Sequence, residues 1–318
     1  MNARMQAAAL DRFGGPEVLT IHELPVPDVD PEEVLIAVGA AGVGSWDVEM
    51  RQGWWPEGEP TFPLVLGTDG AGRVVKVGSQ VRRWKVDDWV YSYSFANPKG
   101  GFHAEYVAVP DERVGHMPKG LDLQQAGGLA TTGLTALQGI DDALHVREGE
   151  KILIHGASGG LGTLAVQFAR LRGARVIASA SGREGVELAL KLGAEAAVDG
   201  KKEDLGTVVR RQAGGGLDAI LALVGGPALD RAAETLRPGG RLAYPNGVEP
   251  EPKQRPGIDV ISYDAVSTVA AFERLNRAVE EARLKVPIAG VFPLAEASRA
   301  HARLEAGKVL GKIVLRVT

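Results

Sequence analysis

The chain has 318 residues, more than one hydrophobic core usually serves, so two domains are expected. Hydrophobic residues make up 45% and charged residues 24%, and the net charge of −4 with a pI near 5.9 excludes a basic nucleic-acid face and attraction to anionic lipid. No apolar run approaches the roughly 18 residues that cross a bilayer and no apolar signal core surrounds Arg4, Asp11 and Arg12, which makes the cytoplasm the expected location; the lack of cysteine removes disulfides, thiolate catalysis and cysteine-ligated metal.

Up to about residue 115 the pattern predicts short strands separated by Gly and Pro: Met5–Leu10, Glu33–Val43, Gly70–Val77, Trp89–Tyr93 and Ala104–Val109. One helix interrupts them at Ser45–Gln52, where Asp47 and Arg51 stand four apart and are expected to pair across a turn. From Asp122 the texture changes to alternating strands and helices, the mark of βαβ units on a parallel sheet. Strands are predicted at Lys151–His155, Arg175–Ala180, Ala196–Val198, Ala219–Leu223 and Gly240–Tyr244. Helices are predicted at Leu161–Leu171, Gly185–Leu192, Leu205–Gln212 and Ala228–Leu236, the last ended by a sharp turn at Arg237–Gly240. Residues 247–258 read as a boundary loop, followed by helices over Ser267–Arg283 and Leu294–Ala306 and a strand, Lys312–Val317, that rejoins the N-terminal unit.

The most informative segment runs from the strand Lys151–His155 through Gly156, Ala157, Ser158, Gly159 and Gly160 into Leu161, Gly162 and an apolar helix. Glycines let the backbone approach a pyrophosphate, and the first helical turn presents unpaired N–H groups to the anion. The strict fingerprint, Ala157-x-Gly159-x-x-Gly162, is a short motif, but a strand before it, a helix after it and a second strand ending about 18 residues later supply the required context. NAD-binding folds usually carry an acid at the end of that second strand, to hold the ribose 2′-hydroxyl. Here the segment reads Ser179-Ala180-Ser181-Gly182-Arg183, with no acid before Glu184. Serine hydroxyls and a guanidinium suit a 2′-phosphate, so NADPH is the expected cofactor, with Ser179, Ser181 and Arg183 as contacts.

Nearly end to end, the chain resembles the medium-chain dehydrogenase/reductase superfamily, in its quinone oxidoreductase (zeta-crystallin-like) branch. The resemblance rests on Phe13–Leu19, on Leu66–Gly78, on Gly100–Tyr106, on the nucleotide loop and on Ala300–Gly307 with Gly311–Leu315. It implies an α/β protein in two parts. One is a GroES-like, β-rich catalytic domain formed by residues 1–118 and 255–318. The other is a Rossmann domain, a doubly wound parallel sheet over residues 119–254, with the active site in the cleft between the two. Homodimers are common in the branch.

The resemblance also speaks to zinc. Zinc-dependent members carry Cys, His-Glu and Cys where this chain has Gly44, Thr68-Asp69 and, approximately, Gly128. Gly44, Thr68 and Gly128 offer no normal zinc ligand, so a zinc-free enzyme is expected, and with no Lewis acid for an alkoxide the implied acceptor is a quinone or an α,β-unsaturated carbonyl. The branch usually has Asn at Gly44 and Tyr at Trp55, so the acceptor side departs from the family pattern. Candidates near the acceptor are Ser45, Trp55, Tyr91 and Tyr93; the spacing establishes no general acid. By family position Thr132 lies near the nicotinamide and Val224, Gly225 and Gly226 pass its ribose, while Tyr244, Asn246 and Lys312 complete the expected cofactor contacts. The expected activity is hydride transfer from NADPH to a quinone or enone. Alternatives are an enoyl or alkenal double-bond reductase, and an NADPH-binding sensor or structural protein with little turnover.

Overall fold

The computed structural model describes residues 3–56 and 58–317. β1 (Arg4–Leu10), β2 (Thr20–Pro25) and the long β3 (Glu33–Val43) lead to α1 (Ser45–Arg51). Then come β4 (Leu64–Val65), β5 (Asp69–Val77), β6 (Trp89–Tyr93), β7 (Tyr106–Pro110) and β8 (Val114–His116). Helices α2 (Leu123–Gly127) and α3 (Ala130–Gln138) precede an alternating run: β9 (Lys151–His155), α4 (Gly160–Leu171), β10 (Arg175–Ala180), α5 (Gly182–Lys191), β11 (Ala196–Asp199), α6 (Leu205–Ala213), β12 (Leu217–Ala222), α7 (Pro227–Ala233), β13 (Leu236–Pro245) and β14 (Asp259–Tyr263). The chain closes with α8 (Val269–Ala282), β15 (Ile288–Pro293), α9 (Ala297–Glu305) and β16 (Lys312–Arg316).

The described residues form two compact units. The first takes the chain up to Thr131, Ser267–Arg277 and the segment from Ile288 onward; the second takes Thr132–Val266 and Ala278–Pro287. In the first unit β3 is the spine. Its eleven residues are nearly all buried, and it pairs with β5, β7 and β16 within a sheet ordered β15-β16-β3-β5-β6-β8. β16 runs antiparallel to β3 with Ile313 opposite Val43, so the C-terminal strand rejoins the N-terminal unit as expected. Val38, Val74, Val90, Phe102, Val107 and Ile313 form the core beneath that sheet.

The second unit holds six parallel strands in the order β11-β10-β9-β12-β13-β14. Counted from β9 this is 3-2-1-4-5-6, the doubly wound Rossmann order. β9 and β12 are apolar and buried almost throughout, as strands covered on both faces must be. Helix ends follow local chemistry: Asp122 caps α2 through the Gln125 N–H, Asp204 caps α6 through the Thr207 N–H, and Gly214 closes α6 at φ +47°.

Three sequence expectations change. The turn at Arg237–Gly240 is a bulge inside β13, between Leu236 and Arg241, where Gly239 takes φ +76°. β14 was not expected at all; its five residues pair in register with Arg241–Pro245 and extend the sheet beyond the residues assigned to it. Asp47 and Arg51 do not pair across α1, because each is fully buried and taken by a different part of the chain.

Candidate active site

In the second unit the sheet reverses direction of growth between β9 and β12, and ligands of this architecture bind at the carboxyl ends of such strands. β9 ends at His155. Gly156 follows at φ +97°, a conformation that only glycine adopts without strain. α4 begins with Gly159 as its N-cap, which has no side chain to satisfy the first-turn N–H groups, so Gly160, Leu161 and Gly162 present theirs outward to an anion. At Gly162 a β-carbon would lie 2.2 Å from the Gly156 carbonyl oxygen and 2.7 Å from Ala157 Cα, which is why helix and turn need glycine there.

The turn is braced from β10. The Ser179 carbonyl accepts the N–H groups of Gly156 (3.2 Å) and Ala157 (2.8 Å), and its hydroxyl shares a 2.5 Å hydrogen bond with His155 Nδ1. Burial pushes the His155 pKa down to about 4, so its ring is neutral at pH 7. Ser179 is only 2% exposed, which turns its hydroxyl inward to His155 and away from any ligand at the surface. Ser181, the exposed N-cap of α5, spends no side-chain hydrogen bond on the helix. Arg183 is exposed and paired with Glu187 at 2.7 Å. Asp199, at the end of neighbouring β11, accepts the Gly182 N–H at 3.1 Å and the Lys201 N–H at 3.2 Å, which hold its carboxyl below the usual range. Sequence reading missed this acid because it belongs to the next strand in the sheet, not to the end of β10.

After β12, Val224 is half exposed, Gly226 takes φ +100°, and a β-carbon on Gly225 would lie 2.1 Å from the Pro250 carbonyl oxygen. Tyr244 is buried in β13; Asn246 is exposed with its amide on Asp264 at 2.6 Å. Thr132 is half-buried in α3.

The first unit contains a second polar arrangement, around the start of α1. The Asp47 carboxylate is fully buried and accepts the N–H groups of Gly44 (2.8 Å) and Thr68 (3.1 Å). Burial raises its pKa, against His103, the Gly44 N–H and Lys312, which lower it. Asp69 is buried beside it and accepts the Thr131 N–H at 3.0 Å. His103 Nε2 donates to the Gly42 carbonyl at 3.0 Å, and its ring meets that of buried His301 edge to face at 5.5 Å. Both His301 ring nitrogens lack a hydrogen-bond partner among the described residues. Arg51, also fully buried, pairs with Glu305 at 2.8 Å and donates to the Gly14 carbonyl.

Ser45 opens α1 and is exposed; next to it Trp46, Trp54 and Phe95 pack with ring centroids 5.2–6.0 Å apart, and Trp54 remains 44% exposed. Trp55 is half-buried nearby and Tyr93 half-buried at the end of β6. Tyr91 lies apart from this face. It has no exposed surface, donates its hydroxyl to Asn276 at 2.8 Å, packs edge-on against Phe272, and burial raises its pKa well above the usual value. That removes Tyr91 from the acceptor-side group.

Asp47 and Asp69 share this region with Lys312. Both carboxylates in this region are committed to backbone N–H groups. The Lys312 side chain, 5% exposed, passes 3.4 Å from where a Gly128 β-carbon would stand, and its positive charge reaches Asp47. Among the described residues no group of three or more His, Asp or Glu side chains is arranged for a metal.

A GroES-like β unit joined to a Rossmann unit with a glycine phosphate turn defines a nucleotide-dependent oxidoreductase. Residues 30–119 match the alcohol dehydrogenase GroES-like domain, and residues 160–273 match the zinc-binding dehydrogenase domain. The chain is 30% identical to the quinone oxidoreductase of Pseudomonas aeruginosa, covering 99% of both chains. It is 31% identical to the chloroplastic NADPH-dependent alkenal/one oxidoreductase of Arabidopsis thaliana, over 98% of this chain and 79% of that one. Among solved structures, an NAD-dependent alcohol dehydrogenase superposes with a TM-score of 0.92 at 31% identity, covering 99% of this chain and 100% of that one. The chain belongs to the medium-chain dehydrogenase/reductase family, within the range of its quinone oxidoreductases. It is an oxidoreductase.

Proposed function

We propose that the protein is a zinc-independent, NADPH-dependent reductase that passes hydride to a quinone or an α,β-unsaturated carbonyl. The observation that carries this reading is the pairing of an open glycine turn at the end of β9 with a β10 terminus that carries serine and arginine and no acid. Gly160, Leu161 and Gly162 hold the pyrophosphate by their N–H groups; Ser181 and Arg183 hold the 2′-phosphate. Ser179 contributes from within, by keeping His155, Gly156 and Ala157 in register. Thr132, Val224, Gly225, Gly226, Tyr244, Asn246 and Lys312 complete the cofactor contacts.

NADPH, when bound, supplies the hydride, and solvent supplies the proton that completes a hydroquinone or a saturated carbonyl. The chain's own part is position and desolvation. Ser45 and the apolar face of Trp46, Trp54, Trp55 and Phe95 take the planar acceptor, while Asp47 holds the Gly44 and Thr68 backbone that frames it. The acceptor delocalises its own developing charge, so no metal is required. We place the enzyme in the cytoplasm as a homodimer; no described helix is long and apolar enough to cross a membrane.

Asp199 favours a second reading, NADH as the preferred donor, because its carboxylate sits beside the Gly182 N–H at the same edge of the sheet. The test is steady-state oxidation of NADPH and NADH against ortho-quinones, para-quinones and enones, with and without chelator. Chelator-insensitive turnover with a lower KM for NADPH supports the proposal. A lower KM for NADH hands the donor to the second reading, and tight cofactor binding with no acceptor reduced would sink the reductase altogether.

A further inference from the structure

On the first unit, a groove of about 940 Å3 is walled by Leu24, Val26, Phe62, Val65 and Phe95 and reaches Trp55. Its volume is that of a small-molecule site, which typically spans about 300–1,000 Å3, and is far more than a single quinone ring fills. Three loops shape it with six prolines, at 25, 27, 56, 60, 63 and 98, which lack N–H donors, so the walls offer a ligand contact surface and few hydrogen bonds. Charge narrows the choice further. Lys99 is the one cation among the described lining residues, and its ammonium is committed to Asp30 at 2.7 Å and Glu33 at 2.6 Å. Asp28 and Glu59 add negative charge to the lining, so an anionic ligand meets no open cation there.

The groove borders the candidate acceptor face. Trp55, Val65, Ala96 and Asn97 also wall a narrow recess that reaches Gly67 and Thr68, whose N–H is held by Asp47 at the start of α1. Phe95, in the groove wall, packs edge-on against Trp46 at 5.4 Å. We propose that this groove binds an uncharged apolar tail on the acceptor. The preferred substrate is then an alkyl- or isoprenoid-substituted quinone or enone, and neither a bare ring nor an anionic thioester. This rests on the reductase reading above.

The experiment uses the full chain with NADPH and a series of 2-alkyl-1,4-benzoquinones, from no tail to octyl. Burying a methylene stabilises by about 0.8 kcal/mol, so KM should fall by about two- to four-fold per added carbon until the groove is full, with kcat little changed. Val26→Asp should flatten that dependence while the tail-less quinone is turned over as before; Phe62→Ala, at the rim and 37% exposed, should weaken it at the cost of one edge contact with Phe13. A wild-type KM indifferent to tail length, with turnover intact, overturns the groove proposal and leaves the reductase standing. If no quinone is reduced, binding of the same series is read by quenching of tryptophan fluorescence. Tail-dependent affinity lost in Val26→Asp then supports the groove and rejects the reductase; tail-independent affinity overturns the groove as well.

Discussion

At the turn after β9 the exposed surface proposed for the nucleotide is main chain, shaped by glycines within seven consecutive residues and braced by one neighbouring strand. At the start of α1 the backbone is held by buried charged side chains drawn from distant places: Asp47 on Gly44 and Thr68, Asp69 on Thr131, Arg51 on Gly14 and Glu305, with Lys312 beside Gly128. The first design needs little desolvation but excludes a β-carbon at Gly162; the second tolerates side chains but must keep its buried charges partnered. The two should therefore fail differently when altered.

The largest effect is expected in the second design. Arg51→Ala takes from Glu305 its charged partner, leaving it the Gln52 amide, and empties the space of a fully buried large side chain, a truncation that costs roughly 3–5 kcal/mol. All five tryptophans, at 46, 54, 55, 84 and 89, lie in the first unit, so denaturant unfolding followed by tryptophan fluorescence reports on that unit alone. A shift below about 1 kcal/mol would mean that Arg51 is solvated like a surface residue. Next comes Gly162→Val. Its β-carbon would overlap the Gly156 carbonyl, an overpacking cost of about 3 kcal/mol that should weaken NADPH binding roughly 100-fold with tryptophan-reported unfolding unchanged. Unaltered affinity in a fluorescence titration would detach the turn from the nucleotide.

This contrast also explains what could be read in the sequence. The glycine turn is contiguous, so strand, turn and helix declared themselves as one pattern, and the alternation around it announced a parallel sheet. The spine β3 was equally legible, because eleven residues rich in Val and Ala can only be a buried strand. The Asp47–Asp69–Lys312 cluster was not, since its members span over 260 residues of chain and obey no period. Asp47 and Arg51 even suggested the wrong partnership, because i,i+4 spacing indicates an exposed pair and both residues are buried. β14 escaped notice because its alternation is short and its sheet partner is set by the fold.

Titration separates the units a third way. His155 in the second unit and His301 in the first are both buried as neutral rings. For His155 burial lowers the pKa from 6.5 to about 4; for His301 burial, His103 and Arg51 hold it well below the usual value. In each case the unfolded chain takes up a proton first. Stability is thus fully present above about pH 6.5 and falls as the pH drops toward the folded value. For His155 the loss at pH 5 is about 2 kcal/mol. His155→Gln should flatten the acid dependence of hydrogen exchange at the β9 and β10 amides while leaving the tryptophan-reported unit unchanged. His301→Gln should do the reverse, and a shared response would show that the units unfold together.

The smallest structural effect belongs to Arg183, and it discriminates most sharply between donors. Its side chain is 88% exposed and its pair with Glu187 spans one helical turn, an arrangement that solvent screening leaves with little effect on stability. Arg183→Ala should therefore leave unfolding nearly untouched. If the guanidinium holds a 2′-phosphate, the same change removes a charge-assisted contact, raising the KM for NADPH about ten-fold and sparing that for NADH. Asp199→Asn should move the ratio the other way, by taking a negative charge from the sheet edge where the phosphate would lie. Equal changes for both donors in Arg183→Ala would mean that the residue is a solvated helix-start cation, and selectivity would then fall to Ser181 and the main chain around it.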